Sequence, residues 1–140
     1  MATLTHAHRE LFRRAPDERF TSLQLLAEHC RTQKTAAIYR WHPPQNLCVA
    51  SRDDQLVLCA GSDGAFQMNE WSFAQLCGLA RVSKDTVNRL LPDTVTKVFG
   101  ETMPSGQKPM QLLTSGESLR SIHGVSYTRL WNLDLVNVLR

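Results

Sequence analysis

Apolar residues recur at helical spacing in several parts of the chain and alternate with polar residues in others. Helices are predicted at residues 5–14, 22–35, 70–91, 92–100 and 131–140. Strands are predicted at residues 47–51, 55–60, 65–68, 110–114 and 119–126. The first three strands are joined by short turns rich in aspartate, glycine and serine, which favours an antiparallel meander. The pattern therefore predicts the α+β class, with a small antiparallel sheet and packed helices that include a helix-turn-helix-like pair.

The chain of 140 residues suits a single domain whose first part, residues 1–42, is helical. Pro43 and Pro44 interrupt this part and force an extended segment. Trp41 precedes them directly. We expect this segment to be a rigid crossover that Trp41 anchors to the core, and the alternative is a partner-binding loop.

Composition excludes several classes of protein. Hydrophobic residues make up 42% and charged residues 21%, as in ordinary globular proteins. Neither a membrane-spanning apolar run nor a secretory signal is evident, so a cytoplasmic protein without membrane contact is predicted. The four cysteines lack C-x-x-C spacing, which predicts reduced thiols and no metal site. Because neither a phosphate loop nor a nucleophile elbow is present, we expect no cofactor and no enzyme.

The net charge of +3 is unevenly distributed along the chain. Residues 1–42 carry a net +3, residues 43–71 carry −3, residues 72–91 carry +2, and the remainder carries +1. Two mildly basic stretches thus flank an acidic middle. This distribution is compatible with nucleic-acid contact without demanding it.

Residues 70–91 form the sharpest local pattern. Phe73 and Leu76 give a first helix one apolar face, and Val87 and Leu90 do the same for a second helix. Ser83 is the expected N-cap of that second helix, accepting from an amide two or three residues later. The polar side chains around it are left on the outside.

This segment resembles the leading module of the lactose-repressor-like transcription regulators. In that family a "valine-serine-x-x-threonine-valine-x-arginine" string opens the recognition helix, and residues 82–89 match it. Arg81 occupies the corner where that family usually has glycine. The resemblance implies a DNA-contact surface made of Ser83, Lys84, Thr86, Asn88 and Arg89. The alternative is a helix pair that only packs on the sheet, with its basic residues solvated.

A longer resemblance runs from about Phe66 to Arg140. The order of a helix, a turn and a second helix ending in "arginine-leucine", followed by "tyrosine-x-arginine-x-x-asparagine", is similar to the phage/plasmid-like family called domain of unknown function 932. Arg120, Tyr127 and Arg129 form a second predicted nucleic-acid surface beside His123. In the alternative, Tyr127 packs in the core and Arg129 pairs with Asp134.

These observations lead to a nucleic-acid-binding accessory protein of a phage, plasmid or integrated element as the first hypothesis. Its partner would be double- or single-stranded DNA, and repressor-like binding would call for a homodimer. The rival hypothesis is a protein-binding inhibitor of a host defence complex, comparable to anti-CRISPR proteins. A third hypothesis is a truncated domain of a longer mobile-element protein.

Overall fold

The computed structural model describes residues 19–126 and 130–139, so the helix predicted at residues 5–14 lies outside the described part. The chain divides into two units, one being Ala36–Thr128 and the other the chain on either side of it. The helices are α1 Leu23–Ala36, α2 Glu70–Ala80, α3 Lys84–Val87, α4 Pro92–Thr102 and α5 Asn132–Leu139. The strands are β1 Ile38–His42, β2 Leu47–Arg52, β3 Gln55–Ala60, β4 Ala65–Met68, β5 Met110–Ser115 and β6 Ser118–His123. The predicted α+β class is confirmed.

The six strands form one mixed sheet in the order β1-β5-β6-β4-β3-β2. Strands β4 and β6 run parallel, with Gln67 opposite Ser118, while the other neighbours are antiparallel. The prediction of a small, purely antiparallel sheet is therefore wrong in this respect. The segment between β4 and β6 contains three helices and β5, which is long enough to return the chain in the same direction.

The predicted meander of β2, β3 and β4 is confirmed in the structure. Asp53 and Asp54 connect β2 to β3 with φ of 50° and 60°. Positive φ at both central residues is the geometry of a type I′ turn, which matches the twist of paired strands. The turn fixes the register, with Arg52 opposite Gln55. A two-residue turn thus determines every cross-strand pair of this hairpin.

Helix α1 ends at Ala36, and the next residues form strand β1 rather than more helix. The prediction that residues 1–42 are helical is therefore wrong for Ile38–His42. Strand β1 lies at the sheet edge beside β5. Tyr39 and Trp41 are 56% and 47% exposed, so the predicted core anchor at Trp41 is also wrong. Neighbouring residues of a strand point to opposite faces, so His42 points away from Trp41 and is buried instead.

The hydrophobic core of the Ala36–Thr128 unit lies between one face of the sheet and helices α2 and α4. Its fully buried side chains include Leu58, Leu76, Phe99, Leu119 and Ile122. The rings of Phe73 on α2 and Phe99 on α4 meet edge to face, with centroids 6.1 Å apart. Alternation along each strand sends one set of side chains to this core and the other set, which includes buried Val57 and Leu113, to the opposite face, which we call the second face.

The described part of the other unit is a pair of helices, α1 and α5. Ala27 and Cys30 of α1 pack with Val136 of α5 in a small apolar cluster. Lys34 Nζ lies 3.2 Å from Asp134 Oδ1, so this carboxylate has a partner other than the predicted Arg129. Arg129 itself lies outside the described residues.

Within the described residues, no helix combines the length and the apolar character needed to cross a bilayer. The longest of them, α1, has 14 residues, fewer than the ~20 that such a crossing takes.

Candidate nucleic-acid interface

The first helix of the predicted pair, α2, begins with a capping box. Asn69 Oδ1 accepts a hydrogen bond from the Ser72 amide at 2.7 Å, and Ser72 Oγ accepts from the Asn69 amide at 3.0 Å. These two bonds satisfy donors that a helix N-terminus otherwise leaves free. The capping box fixes where β4 ends and α2 begins, and it holds Glu70 in the first turn.

Arg81 makes the corner after α2 in a left-handed conformation, with φ 57° and ψ 41°. Its amide donates to the Gly78 carbonyl at 3.2 Å, and the Val82 amide donates to the Cys77 carbonyl at 3.0 Å. Such bonds satisfy the last carbonyls of a helix. The corner therefore has the backbone geometry for which glycine is usual, with an arginine in its place.

The second helix of the predicted pair is a single turn. Ser83 Oγ accepts from the Thr86 amide at 3.3 Å, so the predicted N-cap is confirmed. Helix α3, however, ends at Val87, whereas the prediction continued it to Leu91. Leu91 precedes Pro92 and is extended, because the proline ring disfavours helical geometry at the residue before it. The described structure thus shows no helix-turn-helix module.

The polar residues of this segment are accessible. Val87 is 3% exposed and enters the core, while its polar neighbours lie at the surface. Lys84 is half-buried. The exposed residues of the first predicted surface are Ser83, Thr86, Asn88 and Arg89. A short α3 anchored by Val87 therefore presents all five residues on or near the surface.

Lys84 and Asn88 lie together in the wall of one groove with a volume of about 370 Å³. Four further lining residues come from the sheet: Gln55 and Leu56 at the start of β3, and Gln67 and Met68 at the end of β4. The beginning of α2 closes it with three residues: Asn69, Glu70 and Phe73. The predicted residues Ser83, Thr86 and Arg89 do not line this groove.

The groove is rich in amide side chains, which sequence reasoning missed as part of the site. Gln55, Gln67, Asn69 and Asn88 each carry both a donor and an acceptor. The first two lie on neighbouring antiparallel strands, and the turn between β3 and β4 brings them to one end of the sheet. The alternation of apolar and polar residues identifies Gln55 and Gln67 as polar positions of strands. It does not show which polar positions come together in one groove.

Lys84 supplies the positive charge of the groove, and Glu70 supplies the negative charge. Burial raises the pKa of the Cys77 thiol on α2, and the nearby charge of Lys84 opposes this shift in part. Lys84 is itself half-buried, which lowers the side-chain entropy lost on binding an anion.

The second predicted surface is placed only in part. Arg120 is half-buried on β6. Leu113 pairs with Ser121 and Thr114 with Leu119, so the register shifts by one residue at Arg120, as at a β-bulge. His123 is buried. Tyr127 and Arg129 lie outside the described residues, and whether they join Arg120 stays a prediction.

A further cluster was not found from the sequence. Nε2 of buried His42 lies 2.8 Å from Asp63 Oδ2, and the Arg40 guanidinium pairs with the other oxygen of that carboxylate. Asp63 belongs to the short turn Gly61–Asp63 after β3, so the cluster ties this turn to edge strand β1. Sequence separation hides it, because curling of the sheet alone brings β1 to that turn.

The chain matches no protein-family model, and no curated protein or solved structure is significantly similar to it. The resemblances to the repressor module and to the phage/plasmid-like family therefore stay predictions.

Proposed function

We propose that this protein is a non-catalytic nucleic-acid-binding protein that takes an unpaired base into the groove lined by Lys84 and Asn88. The observation that carries the proposal is the composition of this groove. One cation, one carboxylate and four amide side chains line the groove together with apolar Leu56, Met68 and Phe73, and three of the amides, Gln55, Gln67 and Asn88, lie outside the capping box. Amide side chains recognise base edges through paired donors and acceptors, and apolar side chains receive the flat base.

The shortness of α3 favours a single strand over a duplex. A recognition helix enters a major groove about 12 Å wide and presents several residues to the bases. The four residues of α3 rise only about 6 Å. An unpaired base needs no such helix, because it can leave its strand and enter a cleft from the surface.

The charges assign an orientation to the bound nucleotide. Lys84 attracts the phosphate that follows the base, and exposed Arg89 attracts a neighbouring phosphate. The Ser83 hydroxyl accepts from the Thr86 amide, which leaves its own hydrogen for a phosphate oxygen. Glu70 repels phosphate and accepts from an exocyclic amino group, so the base edge faces Glu70.

The groove is tested by measuring the anisotropy of labelled single-stranded and duplex oligonucleotides at salt concentrations from about 50 to 200 mM. We expect the wild type to prefer the single strand and to lose affinity as salt increases. The Lys84→Ala/Arg89→Ala variant should bind weakly, and its log–log salt slope should be shallower by about 1.4, which corresponds to two lost phosphate contacts.

A matched control separates the groove from net charge. Lys97 is exposed on α4 and is not part of the groove. We expect Lys97→Ala to change binding little, although it removes the same charge as Lys84→Ala. Equal loss in the two variants would indicate nonspecific attraction, and absence of binding by folded wild type would contradict the proposal.

The amides are tested separately from the charges. Asn88→Ala removes a donor and an acceptor without changing the net charge. We expect it to weaken binding of the preferred base by about 1 kcal/mol, roughly fivefold, with an unchanged salt slope. The binding of single-stranded homopolymers of each base is compared between wild type and Asn88→Ala. If Asn88 recognises a base edge, the variant should lose selectivity among the bases as well as affinity.

A further inference from the structure

Cys48 and Cys59 are directly opposite each other on the antiparallel strands β2 and β3. Both lie on the second face, since their strand neighbours Leu47, Val49, Leu58 and Ala60 all enter the core. The two-residue turn makes Arg52 and Gln55 a hydrogen-bonded pair. Pair types alternate along the ladder, so Cys48 and Cys59, four residues further along, are again a hydrogen-bonded pair.

Such a pair has a Cα separation of about 5.5 Å. Disulfides in proteins have Cα separations of about 4.4–6.8 Å, most often near 5.5–6 Å. The backbone therefore already holds the two thiols at a separation that a disulfide can bridge. The Cβ atoms of directly opposite residues lie about 4.5–5.5 Å apart, against about 3.5–4.5 Å in a disulfide, so forming the bond draws the two strands slightly together.

The two thiols differ from the other cysteines in accessibility. Cys48 is exposed on edge strand β2 and Cys59 is half-buried, whereas Cys30 and Cys77 are buried. A small reagent can therefore reach the Cys48 thiol from solvent. The less accessible Cys59 thiol is its direct cross-strand neighbour. Exposed thiols with a neighbouring resolving thiol are typical of sites that exchange with disulfides.

We propose that Cys48 and Cys59 form a reactive dithiol site, which a low-molecular-weight disulfide such as oxidised glutathione converts into a cross-strand disulfide. The Cys48 thiolate attacks one sulfur of the reagent, forms a mixed disulfide and releases one thiolate. The Cys59 thiolate then attacks the Cys48 sulfur and releases the second thiolate. Two protein thiols are oxidised and the reagent is reduced to two thiols.

The order of the two steps follows from the surroundings of each sulfur. The pKa of the Cys59 thiol is raised, and burial is the largest cause. The neighbouring Cys48 raises it further by charge repulsion and by a hydrogen bond. The positive charge of Arg52 opposes this shift in part. Once Cys48 carries the mixed disulfide it has no charge, so ionisation of Cys59 becomes easier for the second step.

The experiment incubates the reduced, folded chain with oxidised glutathione near pH 8 and follows intact mass and tryptic peptides. We expect the mass to fall by two hydrogen atoms as peptide 41–52 becomes linked to peptide 53–81. Because the second peptide also contains Cys77, the Cys77→Ala variant must form the same link. As a reference, the chain is denatured before oxidation, and its disulfide-linked peptides show the pattern that nonselective pairing produces.

Two variants test the order of the steps, with circular dichroism to show that each is folded. Cys59→Ser should accumulate the mixed disulfide on Cys48, since nothing resolves it. Cys48→Ser should react at least about tenfold more slowly than wild type, since only the half-buried thiol remains on this face. These results would support the site.

The opposite results would overturn it. A wild-type chain that stops at mixed disulfides, or that links cysteines other than Cys48 and Cys59, would show that the pair is not a dithiol site. The same conclusion would follow if Cys48→Ser reacted as fast as wild type. The site does not depend on nucleic-acid binding, so its failure and that of the proposed function are separate outcomes.

Discussion

Three non-glycine residues of the described chain have positive φ, namely Asp53, Asp54 and Arg81. Aspartate tolerates this conformation because its short side chain bonds locally to the backbone. Arginine has no such compensation, and its Cβ is crowded by the following carbonyl. The corner after α2 is thus made by tertiary and capping interactions against the preference of the residue.

At this corner we expect Arg81→Gly to raise the free energy of unfolding by up to about 1 kcal/mol, since glycine adopts positive φ without crowding. Arg81→Ala keeps the Cβ and is the matched control, with little change expected. Urea denaturation of the three proteins measures the difference. If glycine were no more stable than alanine here, the strain at Arg81 would be negligible.

The buried thiol of Cys77 gives a pH dependence whose sign follows from its raised pKa. An unfolded cysteine ionises near pH 8.5, earlier than the folded one, so above that pH the unfolded state binds fewer protons. Stability contributed by this group is complete below about pH 8.5 and declines as pH rises through the folded pKa. Denaturant melts between pH 7 and 10 should fall less steeply for Cys77→Ala than for wild type.

Parallel slopes for the two proteins in those melts would show that Cys77 does not contribute to alkaline sensitivity. Cys59, whose pKa is also raised, is a second source of the same trend. A Cys59→Ser variant measured beside Cys77→Ala separates the two contributions, because the side chains lie on different elements.

At the scale of elements, proline decides the length of α3. The apolar spacing at residues 70–91 is compatible with two full helices, and it correctly predicts α2 and the Ser83 cap. Pro92 becomes the first residue of α4, which forces Leu91 into an extended conformation. The periodicity therefore described which residues face the core better than it described where the helix ends.

Helix α2 also completes the hydrogen bonding of the sheet. Strands β4 and β6 pair over only two positions, so the amides of β6 beyond Leu119 have no neighbour in β4. The Gln75 side chain accepts from the Ile122 amide at 2.9 Å through Oε1. A buried amide without an acceptor costs about 1–3 kcal/mol.

We therefore expect Gln75→Leu to lower the free energy of unfolding by about 1–3 kcal/mol. Gln75→Glu keeps an acceptor oxygen at the same position and should retain most of the stability. Amide hydrogen exchange adds local resolution, because protection at Ile122 should fall in the leucine variant only. Unchanged protection at Ile122 would mean that Gln75 does not serve this amide.

For the whole of the Ala36–Thr128 unit, the cluster of Arg40, His42 and Asp63 joins edge strand β1 to the turn that follows β3. In the sheet order, three strands (β5, β6 and β4) separate β1 from β3, so this contact joins parts of the curled sheet that are not neighbours. His42 is buried and depends on Asp63 as an acceptor. The contact stabilises edge strand β1, which has β5 as its single neighbour in the sheet.

Loss of this tie should loosen β1 selectively. We expect Asp63→Ala to destabilise the unit by about 1–3 kcal/mol, mainly through the unsatisfied buried imidazole. Hydrogen exchange should accelerate in β1 and remain slow in the β2–β3 hairpin. Arg40→Ala removes only an exposed partner of the carboxylate and should cost less than about 1 kcal/mol. Equal losses in the two variants would contradict this division.

The local features of this protein could be predicted from the amino-acid sequence. Periodicity, turn residues and caps correctly predict the α+β class, the β2–β4 meander, helices α2 and α4, and the Ser83 cap, because each depends on residues close together in the chain. It also identified Lys84 and Asn88 as candidate contacts. The charges and amides of that segment are visible without any tertiary information.

The contacts between residues distant in the chain became visible only in the folded structure. The parallel β4–β6 pair, the amides of Gln55 and Gln67 beside Lys84, the carboxylate beside His42 and the pairing of Cys48 with Cys59 all depend on strand order and register. Sheet pairing acts across long separations, and a polar strand position looks the same in sequence whichever partner it receives. The candidate groove is therefore a property of the fold, although its cation was recognisable beforehand.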